Sequence, residues 1–186
     1  ITQKAVMLQI ILVVNWKQRL YKCNFDLEWY SRIVHDLSMW ENSPSLKLKD
    51  YTRKPINLYI SSYGGNVYDV LGAYDIIKQS KTKVNTYGFG KCMSAGLILF
   101  LAGEERTVYK NTTVMFHSLA GGVIGMLQKE IDSVEEHKRL QKRLNNIITK
   151  ATNIPKEKLE EHVKHNSNWY IDADDCLALN IAHNII

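Results

Sequence analysis

In the stretch GFGKCMSAGLILFLAG, residues 88–103, a single hydroxyl, Ser94, stands between a turn-like Gly-Phe-Gly and an unbroken apolar run. Two chemistries suit a serine at the mouth of a helix. Its side-chain oxygen can accept from the orphan backbone N–H groups of the first turn, which makes serine a preferred helix cap. The same N–H groups can instead hold an oxyanion, and Ser94 is then a nucleophile. A nucleophilic serine needs a base to take its proton and donors aimed at the developing charge. Two further signals supply candidates. Gly64 and Gly65, in LYISSYGGNV, follow an apolar strand-like run, where glycine permits positive φ and close approach of a backbone N–H to a ligand. His117 ends the apolar run TVMFH, just before SLAGG. Taken singly, the glycines read as a tight turn and His117 as a satisfied structural residue. Taken together they suit acyl transfer, with Ser94 attacking, His117 as base, and the N–H groups of Ala95 and the Gly65 region around the oxyanion.

Such a site exists only if the chain brings these residues together. Strand-like runs at 5–14, 19–23, 55–61, 83–90, 106–110 and 113–117 alternate with helical periodicity at 26–40, 67–79, from Ser94 onward, 125–150, 155–164 and 172–180, with a polar loop at 41–54. This alternation predicts an α/β layered fold. Parallel strands of such sheets carry functional groups at their carboxyl ends, so Gly65, Ser94 and His117 should converge on one edge. The long charged segment 125–150 carries Leu127, Ile131, Val134, Leu140, Leu144 and Ile147 at helical spacing. No repeat or linker divides the 186 residues, which predicts one domain over 1–186.

Composition narrows the function. With 45% hydrophobic and 23% charged residues the chain reads as soluble and globular. The net charge of +5 is mild and its bases are interleaved with acids, giving nucleic-acid binding no support. Cys23, Cys92 and Cys176 are odd in number and lack metal-site or redox spacing, which predicts a reducing compartment and no metal. AVMLQIILVV, residues 5–14, is too short to cross a bilayer and lacks a basic leader and cleavage site, so it reads as a buried strand and predicts no membrane association.

INLYISSYGG, GFGKCMSAG, VMFHSLAGG and the long helix that follows resemble, in order and spacing, the proteolytic subunit of the Clp protease, ClpP. The resemblance spans roughly residues 54–183. It implies a crotonase-like α/β fold with a long protruding handle helix, and a serine endopeptidase that cleaves unfolded proteins inside two stacked seven-membered rings. It places Ser94 on the family's nucleophile, His117 on its base, and Gly64, Gly65 and Ala95 at its oxyanion and substrate-binding positions. It implies no cofactor, a homo-oligomer, and a separate AAA+ unfoldase of ClpX, ClpA or ClpC type, since the chain has no Gly-x-x-x-x-Gly-Lys phosphate loop. The expected location is the cytoplasm of a bacterial or phage-infected cell, or an organelle stroma or matrix, and the divergence suits a phage- or organelle-like member.

The departures from the family pattern are informative. Tyr63 replaces a proline, Ala95 a methionine, and Ser118-Leu119 a Gln-Pro, none of which removes a reacting group. In SNWYIDADDCLA, however, Asn168 falls where the family has the aspartate of its triad, with Asp172, Asp174 and Asp175 as substitutes or helix-start residues. Asparagine can accept the imidazole N–H but carries no charge to stabilise imidazolium. A peptidase of reduced activity follows, with a non-catalytic ring subunit that modulates an active ClpP as the alternative. A crotonase-type acyl-CoA enzyme would share the fold but needs no Ser94–His117 pair.

Overall fold

The computed structural model describes residues 55–122 and 124–186. The strands predicted at 5–14 and 19–23, the helix at 26–40 and the loop at 41–54 lie outside the described residues.

Strand β1 (Ile56–Ser62) alternates buried and half-buried positions, turning Ile56, Leu58, Ile60 and Ser62 inward. It pairs in parallel with β2 (Val84–Met93), from Ile56 opposite Val84 to Ile60 opposite Gly88. The register then slips, because Ser62 lies opposite Cys92. The extra residues of β2 form a bulge around Gly90, whose φ of 67° costs glycine little and other residues more. The Gly-Phe-Gly therefore lies inside one strand. The sequence reading ended that strand at Gly90; it continues to Met93.

The bulge lets β2 change partners. Its first half pairs in parallel with β3 (Arg106–Val108) through Thr86–Gly88, and its second half with β4 (Thr113–Phe116) through Lys91–Met93. On the far side of β4 lies β5 (Trp169–Ile171), antiparallel, and beyond β3 lies β6 (Asn184–Ile185), parallel. These two short strands are absent from the sequence reading, since two or three residues are too few to show a period.

Helix α1 (Val67–Gln79) is capped by Asn66, whose side chain accepts from the N–H groups of Tyr68 at 2.8 Å and Asp69 at 3.4 Å. It buries Val70, Ala73 and Ile77. Helix α2 (Ala95–Phe100) is apolar all round because all six of its residues are buried. It is shorter than the apolar run predicts, ending where Thr86 Oγ1 donates to the Phe100 carbonyl at 2.7 Å. Helix α3 (Leu127–Ala151) is the long charged helix, followed by α4 (Lys156–Lys164) and α5 (Ala173–Ala178). Its apolar stripe serves two surroundings. Leu140, Leu144 and Ile148 are buried, whereas Leu127, Ile131 and Val134 are exposed by 73%, 46% and 51%.

Arg106 ties these layers together without a carboxylate partner among the described residues. Its guanidinium donates to the carbonyls of Ile181 at 2.7 Å, Asn180 at 2.8 Å and Ala151 at 2.9 Å, so β3 is fastened to the ends of α3 and α5. Arg106→Met leaves these acceptors without their donor and should cost roughly 2–4 kcal/mol. Urea unfolding checks this, as a lowered midpoint at unchanged slope.

Candidate active site

Because β1, β2 and β4 run parallel and adjacent, the residues that follow them meet at one end of the sheet. Gly64 and Gly65 follow β1, Ser94 follows β2, and His117 follows β4. Gly65, Ser94 and His117 line one cleft of about 890 Å³, whose apolar side is formed by Leu97, Ile98, Phe116, Leu140 and Leu144. The convergence predicted from sequence is present.

Ser94 sits at the sharp turn from β2 into α2 with φ 54° and ψ −122°, a region that side chains rarely adopt. Its N–H donates to the Met115 carbonyl at 2.9 Å, which anchors the turn to β4. Ser94 makes no side-chain capping bond, so the helix-cap reading of this residue is not what the fold uses. A strained strand–turn–helix corner of this kind pushes a serine oxygen away from the backbone, where a substrate can reach it.

Gly64 explains how the corner is accommodated. Its φ is +113°, and a Cβ there would stand 2.6 Å from Ser94 Cβ and 3.1 Å from the Ala95 nitrogen. The β1 turn thus lies directly against the Ser94 corner. The N–H of Gly64 is occupied, donating to Ser62 Oγ at 3.1 Å. Among the described residues, the N–H groups of Gly65 and Ala95 have no acceptor. The two donors named from sequence are therefore free and on adjoining segments, while Gly64 contributes its shape.

The base and its partner are less complete. His117 is half-buried, and among the described residues neither its ring nor Ser94 Oγ makes a hydrogen bond. The antiparallel register of β4 and β5 sets Val114 opposite Ile171 and Phe116 opposite Trp169, so the next position places Asn168 across from His117. The Asn168 amide is exposed and donates to the Tyr170 hydroxyl at 3.5 Å rather than meeting the imidazole. Asp172, by the same register, falls opposite Thr113, about 13 Å along the strand from His117. It stands at the N-cap of α5, with Asp174 and Asp175 in the first turn.

Two other features were not read from the sequence. Tyr68, on the cleft wall, donates to Glu136 Oε1 at 2.7 Å, and Arg139 grips the same carboxylate through two nitrogens at 2.6 Å, joining α1 to α3. The Arg139 and Tyr68 hydrogen bonds hold the Glu136 carboxyl down at about 2. Cys92 lies two residues before Ser94, but its thiol is fully buried against the Ile60 carbonyl and burial pushes it far up. Burial likewise pushes Cys176 up to about 12. Neither supplies a thiolate. Cys23 lies outside the described residues. Among the described residues no group of His, Cys, Asp and Glu is placed to hold a metal ion.

The chain matches the Clp protease family over residues 31–186 and belongs to it. It is similar to the ATP-dependent Clp protease proteolytic subunit 3 of Rhizobium meliloti, 28% identical over 159 residues, covering 84% of this chain and 80% of that protein. It is also similar to the structure of an asparagine-to-aspartate mutant of ClpP1 from Listeria monocytogenes, with a TM-score of 0.71 and 27% identity over 88% of this chain and 86% of the other. The ClpP fold expected from the sequence is the one observed.

If the Gly64 contact holds the corner, Gly64→Ala should destabilise the fold by at least about 1–3 kcal/mol, the range for a side chain forced into such backbone, and displace Ser94. Urea unfolding and a crystal structure of the variant check this. An unchanged midpoint with Ser94 in place would contradict it.

Proposed function

We propose that the chain is a serine endopeptidase subunit acting on unfolded polypeptide. One observation carries this reading most: Ser94 is held in strained backbone in the lining of a cleft, with two N–H donors beside it that have no acceptor among the described residues and a histidine in the same lining. In the reaction, Ser94 Oγ attacks the scissile carbonyl as His117 takes its proton, and the carbonyl oxygen becomes an oxyanion between the N–H groups of Gly65 and Ala95. His117 then returns the proton to the leaving amine, and a water repeats the sequence on the acyl-enzyme. Asn168, across from His117, stands where the third member belongs and accepts the imidazole N–H once its amide turns from Tyr170.

We further propose assembly into stacked rings through the first half of α3, where Leu127, Ile131 and Val134 are exposed without a partner among the described residues. The relative from Rhizobium meliloti is named ATP-dependent. A separate ATPase that delivers unfolded chains is the corresponding partner here. A second reading is a ring subunit that modulates an active one without cleaving, and the exposed Asn168, whose amide bonds Tyr170 and, among the described residues, not the His117 ring, favours it.

A fluorophosphonate should label the protein once, with the adduct abolished by Ser94→Ala. Intact mass reads this, and labelling that survives the substitution would assign the nucleophile elsewhere. Asn168→Asp restores the missing charge and should raise cleavage of a short fluorogenic peptide, by up to about 10³–10⁴-fold if the serine-protease template transfers. A variant no faster than the parent while Ser94 still labels would remove Asn168 from the site.

A further inference from the structure

Beyond His117 the chain runs through Ser118–Gly122 without regular structure and is held at two points. Ser118 Oγ donates to Asn166 Oδ1 at 2.6 Å, on the loop that leads to Asn168. In the other direction, the Leu119 N–H donates to Gln141 Oε1 at 2.6 Å. Gln141 Nε2 in turn donates to Asn145 Oδ1, one helical turn on, at 2.9 Å. Both amides lie on the core side of α3, 8% and 7% exposed, between the buried Leu140, Leu144 and Ile148. Two amides in an apolar helix face are costly unless their bonds are made. Here they are made, and one of them reaches the segment that carries His117.

We propose that Gln141 is a positioning residue for the hydrolytic site. This role rests on Ser94 and His117 being the peptidase pair described above. The His117 ring has no hydrogen bond among the described residues, so its backbone has to aim it. On one side the pairing of Phe116 with Trp169 fixes that backbone. On the other side β4 has ended, and Gln141 supplies the acceptor that a strand neighbour would otherwise provide. The same bond fixes Ser118, Leu119 and Ala120, which form the cleft wall next to His117. Gln141 acts through this backbone and touches neither reacting atom.

Gln141→Leu removes the acceptor at similar volume, and Gln141→Glu keeps an acceptor for the Leu119 N–H. The full-length variants are compared with the parent by the rate at which a small fluorophosphonate labels Ser94, by amide exchange at Leu119, and by thermal midpoint. Gln141→Leu should label on the order of ten- to a hundredfold more slowly per folded molecule, the scale expected when a reacting group is misplaced by about an ångström. Its Leu119 amide should lose protection, and Gln141→Glu should recover most of the rate. A lower thermal midpoint with an unchanged labelling rate would make Gln141 a packing residue only and overturn the role. A slow Gln141→Leu that Gln141→Glu does not rescue would overturn it too. A parent protein that never labels at Ser94 refutes the peptidase itself and this role with it. A labelled parent with an unaffected Gln141→Leu refutes the positioning role alone.

Discussion

The site depends on one contact, the absence of a side chain at Gly64 against the backbone corner at Ser94. Ser94 occupies φ 54° and ψ −122°, which costs free energy that the surroundings must offset. The offset is visible. The Ser94 N–H is bonded to β4, α2 behind it is wholly buried, and Gly64 presses on the corner from β1 with no Cβ to intrude. Three strands thus converge on one peptide unit. Among the described residues the Gly65 and Ala95 N–H groups have no acceptor, and such donors are what a developing negative charge requires.

The bulge in β2 makes the convergence possible. A regular strand would keep one neighbour along each edge, and β4 could not reach Met93 while β3 held Gly88. By spending extra residues at Gly90, β2 hands its edge from β3 to β4 and brings the end of β4, with His117, beside Ser94. The apolar run behind Ser94 follows the same logic, since a short helix enclosed by sheet and helices has no polar face to show. Arg106 and the Gln141–Asn145 pair supply buried polar fastenings where apolar packing alone would leave carbonyls or an N–H unpaired.

Much of this was legible in the sequence. The α/β alternation, the convergence of Gly65, Ser94 and His117, and the span of the long helix follow from periodicity and from the strand-end rule. Ser94 stands at the helix mouth without capping it through its side chain, because residue type cannot reveal that the backbone turns the side chain away from its own helix. The Gly-Phe-Gly read as a turn for a related reason. A bulge and a turn use the same residues, and only the neighbouring strands distinguish them. The short strands β5 and β6 left no period to read, so the placement of Asn168 across from His117 came from a register that no local pattern contains. Gln141 was passed over because a glutamine in a charged helix looks solvent-facing until the helix is docked.

The central claim is that Ser94 and the N–H groups of Gly65 and Ala95 form one preorganised acyl-transfer site. A crystal structure of the protein carrying a peptide boronate tests it most directly, because the boronate mimics the tetrahedral intermediate and leaves an oxygen to be placed. The account predicts a covalent bond from Ser94 Oγ to boron, with one boronate oxygen within about 3 Å of both the Gly65 and the Ala95 nitrogens. An adduct on another residue, or a boronate oxygen pointing into solvent with both N–H groups unbonded, would contradict it.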